Sequence, residues 1–201
     1  MNHLQKKSLL GLMLVLSIAG LTKAETSTSH LTFTDIKGKQ HTPFSTGKHK
    51  AVVFVFLLRD CPVSNFYTPE LTRIRKDYSK NEVALYLIHP DRDTNAKAAL
   101  AHAKEYKLTA PVVLDHNHKL TRLAKANVTP EAAVFDAQQR LMYRGRIDNL
   151  YADFGKKRFK PSQHDLRDTL DALLAGKPLT KRTTDAIGCY IDFSNDKKKS
   201  Q

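Results

Sequence analysis

Apolar residues along this chain fall into two recurring patterns, continuous β-branched runs and helical stripes, and their alternation predicts an α/β domain. Residues 50–58 (KAVVFVFLL) and 82–89 (EVALYLIH) are apolar almost without interruption, as suits strands covered on both faces of a sheet. Between them Phe66, Leu71, Ile74 and Tyr78 recur at helical spacing. Residues 93–106 are rich in Ala and Lys, with Ala96, Ala99, Leu100 and Ala103 at helical intervals. A short strand is predicted over 111–115 and a short helix over 118–126. Two more strands, 131–136 and 140–147, flank a turn at Ala137, Gln138 and Gln139. A helix over 162–174 aligns Leu166, Leu170, Leu173 and Leu174, and Gly176-Lys177-Pro178 stops it. Ahead of these, residues 31–35 alternate before Lys37-Gly38-Lys39, which predicts a small hairpin.

The order is therefore β, α, β, α, β, α, β, β, α. Parallel strands require crossover helices, and the two adjacent late strands can pair as a hairpin. The expected architecture is α/β, a central mixed β-sheet flanked by helices and followed by a C-terminal tail. No internal repeat or low-complexity linker interrupts it.

The first residues carry a different pattern. Lys6 and Lys7 precede a nearly all-apolar run over 8–21, and Thr22-Lys23-Ala24 closes it with small residues at −3 and −1. That is the layout of a cleavable signal peptide over residues 1–24, with an uncleaved anchor as the rival. The expected division is a leader (1–24), a domain (25–178) and a tail (179–201), working outside the cytoplasm, periplasmic or secreted. The formal charge of +13 would attract acidic partners, anionic headgroups or nucleic acid. However, the basic residues are spread along the chain, with a dense run at the tail, Lys197-Lys198-Lys199, and no nucleic-acid recognition motif accompanies the charge. Neither nucleic acid nor a membrane is expected as a partner of the mature form.

Two cysteines in 201 residues do not make a disulfide scaffold, so each invites a local explanation. Cys61 lies where a buried strand gives way to a helix, in Arg59-Asp60-Cys61-Pro62-Val63-Ser64-Asn65. The first turn of a helix offers unpaired N–H groups and partial positive charge, which favour a thiolate. Pro62 suits the first helical position. Ser64 can turn a hydroxyl towards the sulfur, and Arg59 adds positive charge, so the thiol pKa should fall. Asp60 opposes this unless it turns outward or pairs with Arg59. A buried core cysteine is the alternative reading, and the polar neighbours on both sides argue against full burial.

Strand, Cys-Pro-x-Ser and helix together resemble the active-site corner of thioredoxin-fold proteins. Residues 128–136 (VTPEAAVFD) resemble the cis-proline segment of that superfamily, which implies that Thr129 and Pro130 shape the groove beside the cysteine. With residues 143–148 (YRGRID) and Gly188-Cys189, the chain resembles a redoxin group related to peroxiredoxins (alkyl hydroperoxide reductase and thiol-specific antioxidant) and exported thioredoxin-like reductases. The resemblance runs over residues 31–175 and implies a thioredoxin-like fold, with residues 93–126 as the helical insertion. Two departures matter. Ser64 stands where the thioredoxin dithiol has its second cysteine, and Phe54 and Leu58 stand where peroxiredoxins have Pro and Thr or Ser. Arg144 or Arg146 could still be carried towards the site by the late hairpin.

The leading expectation is a thiol-disulfide oxidoreductase with Cys61 as nucleophile and Cys189 as resolving thiol, needing no cofactor or metal. Its partners would be protein or small-molecule thiols and disulfides, and an external thiol reductant. Residues 187–193 are apolar enough for the tail to dock, which would let Cys189 reach Cys61. A free thiol, an intermolecular bridge and a permanent disulfide are the other readings of Cys189. Rival functions are a thiol peroxidase, a copper chaperone drawing on histidines such as His89, and a non-catalytic interaction module. His116 and His118 suggest only a loop surface.

Overall fold

The computed structural model describes residues 31–45 and 49–194; the expected leader, residues 1–24, lies outside them. A short hairpin, β1 (Phe33–Thr34) and β2 (Gln40–His41), precedes β3 (Ala51–Phe56), α1 (Pro62–Tyr78) and β4 (Val83–His89). The insertion follows as α2 (Ala96–Glu105), β5 (Val112–Leu114) and α3 (Lys119–Ala124). Then come β6 (Val128–Thr129), β7 (Glu131–Asp136), β8 (Leu141–Gly145), β9 (Tyr151–Asp153), β10 (Lys156–Lys157), α4 (Asp165–Leu174) and β11 (Cys189–Tyr190).

Five strands form the central sheet in the order β5-β4-β3-β7-β8. β3 pairs in parallel with β4 and antiparallel with β7, in the registers Phe56↔Ile88 and Phe56↔Glu131. The sheet is therefore mixed, and the fold is thioredoxin-like. Every residue of β3 is buried, because both faces are covered. Val53, Val55 and Leu57 pack with Leu71 and Ile74 of α1 and Leu166 and Leu170 of α4. Val52, Phe54 and Phe56 pack on the other face with Leu120 and Ala124 of α3 and with Ile191 of the tail.

Two features depart from the sequence pattern. Residues 151–157 form an extra hairpin, β9–β10, where no strand is predicted. The last sheet strand ends at Gly145 rather than running to Ile147, because Gly145 takes φ +152° and an added Cβ would collide with Thr184. Only glycine lets the tail approach β8 this closely.

Candidate functional site

Cys61 occupies the N-cap of α1 in an extended conformation (φ −87°, ψ 113°), with Pro62 opening the helix. A turn places it there, with the Cys61 N–H donating to the Leu58 carbonyl at 3.2 Å. The helix also contains Pro69, which has no N–H to give the Asn65 carbonyl. The Thr68 hydroxyl donates to that carbonyl instead, at 2.9 Å, so the first two turns stay closed beneath the cysteine.

The expectation that polar neighbours would keep Cys61 from full burial is wrong: it is 1% exposed. Asp60 turns outward and binds Arg59 (Nη2–Oδ2 2.7 Å), which directs the guanidinium to the carboxylate and not to the thiol. The sulfur is covered from the other side by the tail.

That cover is stitched at two places. Residues 182–184 run along β8: the Arg144 N–H donates to the Arg182 carbonyl at 3.0 Å and the Thr184 N–H to the Arg144 carbonyl at 3.1 Å. Further on, β11 pairs antiparallel with β6, setting Cys189 opposite Thr129 and Tyr190 opposite Val128. The Thr129 hydroxyl donates to the Cys189 carbonyl at 3.2 Å, and the Ile191 N–H donates to the Asn127 carbonyl at 2.9 Å. Ile191 is buried in the second core, and Phe193 lies against His118 with ring centroids 4.8 Å apart. The Thr129–Pro130 peptide is cis, and the Thr129 carbonyl accepts from the Cys61 thiol at 3.4 Å. Thus Cys61, Ser64, Thr129, Pro130 and Cys189, 128 residues from Cys61 in sequence, converge on one spot. Both cysteines are free thiols.

Burial pushes the Cys61 thiol up, but the donors around it prevail and hold it below its ordinary value. They are the Cys189 thiol, the Ser64 hydroxyl, and the Ser64 and Cys189 backbone N–H groups. The Ser64 hydroxyl oxygen in turn accepts from the Leu58 N–H at 3.4 Å, which orients it. Cys189 moves the other way. Burial and the neighbouring Cys61 sulfur push it up to about 12. The two thiols are thus pushed in opposite directions, so that the proton leaves Cys61 more readily than Cys189.

Neither arginine of the late hairpin reaches the thiol, contrary to what the sequence allowed. Arg144 turns to Glu131 (3.4 Å) and to the Lys125 carbonyl, and Arg146 to Asp165 (2.7 Å) and Gln163. Each lies opposite a carboxylate that desolvation would otherwise leave costly. His118 is no loop-surface residue. It is buried, with Nε2 bonded to the Pro90 carbonyl at 2.9 Å. His89 is fully buried beside His102 with neither ring nitrogen bonded, and burial pushes it down to about 4. Among the described residues no three His, Cys, Asp or Glu side chains are grouped so as to hold a metal ion.

Sequence reasoning missed a clamp beneath the site. Asn65, one turn after Cys61, donates to the Arg59 carbonyl at 2.8 Å and meets His102 Nε2 at 2.8 Å. It thereby ties the loop before the cysteine to α2. Its spacing from Cys61 was visible, but its partner on a distant helix was not. Tyr151 also went unread. It packs against the core that holds Cys61, and against Phe66 and Tyr67.

The chain matches the AhpC/TSA family over residues 25–144, so Cys189 and its tail lie beyond the matched part. No curated protein matches it. Among solved structures it is similar to a hypothetical protein from Sinorhizobium meliloti 1021, at 24% identity and a TM-score of 0.69, over 80% of this chain and 89% of that one. An uncharacterised conserved protein from Geobacillus kaustophilus gives 23% and 0.69, over 82% and 88%. A candidate thiol:disulfide interchange protein, DsbE, from Chlorobium tepidum gives 14% and 0.55, over 72% and 92%. At these identities the likeness is one of fold.

Proposed function

The chain belongs to the AhpC/TSA family, and from that premise we propose that it is an exported thiol-disulfide oxidoreductase working through Cys61 and Cys189. The observation that carries this reading is the juxtaposition of the two sulfurs with opposite proton affinities. The Cys61 thiolate attacks one sulfur of a substrate disulfide, forming a mixed disulfide and releasing the other sulfur as a thiolate. Cys61 then carries no charge, so the part of the Cys189 proton affinity set by that sulfur disappears and the part set by burial remains. The released substrate thiolate is the base that takes the proton. Cys189 loses that proton and attacks Cys61, giving a Cys61–Cys189 disulfide and the second substrate thiol. The two electrons come from the cysteine pair, and an external thiol reductant restores them. Protein or small-molecule disulfides would serve as substrate. Pro62 and Ser64 set up the thiolate, and Thr129 and Pro130 shape the wall facing it. Residues 1–24 would act as the export leader of a 25–178 domain, with 179–201 as the tail.

A redox titration tests this. The wild type should show a two-electron couple that vanishes in Cys61→Ser, and Cys189→Ser should trap mixed disulfides. Two thiols that stay free under oxidant would end the proposal.

Family membership favours peroxidase activity as a second reading, with Cys61 oxidised to a sulfenic acid that Cys189 condenses. Hydrogen-peroxide consumption with a thiol reductant separates the two. Leu58 offers no hydroxyl at the position where that chemistry would use one.

A further inference from the structure

We propose that the β9–β10 hairpin is a docking element for an anionic lipid surface, a contact not expected from the sequence and independent of the redox reading. Residues 154–160 read Phe154-Gly155-Lys156-Lys157-Arg158-Phe159-Lys160, four cations without an acid. Phe154 is 59% exposed and Phe159 entirely so. The segment is nonetheless a built element. Asn149, itself buried, closes its base: its Oδ1 accepts from the Ser162 and Gln163 N–H groups at 2.8 and 3.0 Å, and its Nδ2 donates to the Ser162 hydroxyl at 2.9 Å. The Arg158 N–H donates to the Leu150 carbonyl at 2.8 Å. An ordered arm thus holds two phenylalanines in water at a site where nothing in the fold needs them.

Charge selects an anionic partner. Lys156 has Asp153 at 3.4 Å, but both are exposed, and such a pair neutralises little of the field. Lys157 lies over the Phe66 ring at 4.0 Å, and the Arg158 guanidinium donates to the Asn149 carbonyl, leaving Lys160 at the outer end. The apolar component selects a bilayer over an acidic protein. Phe159, fully exposed, borders an open groove with Phe66, Tyr106 and Leu150. The carboxylates in that groove, Glu70, Glu105 and Asp148, are matched by Arg73, Lys107 and Lys160. A headgroup–acyl boundary closes around a protruding ring without a matched pocket, and lysine charges suit diffuse headgroups.

The chain has no tryptophan, so Phe159→Trp creates a unique fluorophore that reports on its own position whatever the leader does. With phosphatidylglycerol–phosphatidylcholine vesicles its emission should shift to the blue and be quenched by brominated acyl chains. Phosphatidylcholine alone should do neither. Adding Lys156→Ala and Lys160→Ala should weaken partition by about five-fold per lysine. An unshifted emission of the Phe159→Trp variant with anionic vesicles would overturn the proposal and leave an acidic protein as the occupant. Equal shifts with neutral and anionic vesicles would overturn it too.

Discussion

Gly188 packs so closely on the Thr129 carbonyl that an added Cβ would fall well inside the contact distance of its oxygen. This approach seats Cys189 opposite Thr129 in the β6–β11 pair. Only a residue without a side chain lets the two backbones meet here.

Gly188→Ala should therefore push β11 off β6 while leaving the central sheet intact. Oxidation of the Cys61–Cys189 pair should slow by at least about ten-fold, the equivalent of losing ~1.4 kcal/mol of positioning. Quantifying the disulfide by mass spectrometry after a timed oxidant pulse checks this. An unchanged rate would show that Cys189 reaches Cys61 without the strand pairing.

Ser64→Ala removes one donor to the Cys61 sulfur and the acceptor of the Leu58 N–H. The pH midpoint of Cys61 alkylation should rise towards the ordinary thiol value. Stability should fall by about 1–2 kcal/mol, since a part-buried N–H loses its acceptor. Alkylation kinetics in the Cys189→Ser background isolate the Cys61 signal.

Stability should also depend on pH through the pair. Cys61 is held below its ordinary value, so its contribution grows as pH rises from its folded pKa to the unfolded value of about 8.5. It is lost again as pH falls through the folded pKa. Cys189 is pushed up to about 12, so its contribution is present below the unfolded value and disappears as pH climbs towards 12. Denaturant melts of the reduced protein should show a maximum near the ordinary thiol pKa that is missing from the Cys61→Ser, Cys189→Ser double variant.

Asn65→Ala should loosen the loop before the cysteine, because it frees both the Arg59 carbonyl and His102 Nε2. Expected losses are about 1–3 kcal/mol of stability and a slower reaction of Cys61 with disulfides. Asn65→Asp should restore part of the His102 contact but not the bond to the Arg59 carbonyl. Equal rates of Cys61 reaction with a disulfide in the wild type and Asn65→Ala would show that the clamp serves stability alone.

The sheet and helices were legible because each is a local pattern. Residues 51–58 are continuously apolar, β-branched and aromatic, the pattern of a strand covered on both faces. Gly176-Lys177-Pro178 stops α4 whatever surrounds it. The β9–β10 hairpin was not legible, since its charges and short strands carry no alternation. It stands because Asn149 bonds across to Ser162 and Gln163.

The same division runs through the site. That Cys61 begins a helix behind Pro62, with Ser64 within reach and no second cysteine at that place, follows from neighbours in sequence. Helix-start electrostatics need only a few residues. The burial of Cys61, the turning away of Arg59 and the position of Cys189 depend on chain segments far apart in sequence. Gly145 and Gly188 leave room for the tail, Thr129 and Ile191 bind it down, and burial with shared donors then pushes two ordinary thiols in opposite directions. Sequence alone determined that one thiol stands at the start of a helix; the docked tail decided that a second lies beside it, and in which direction each is pushed.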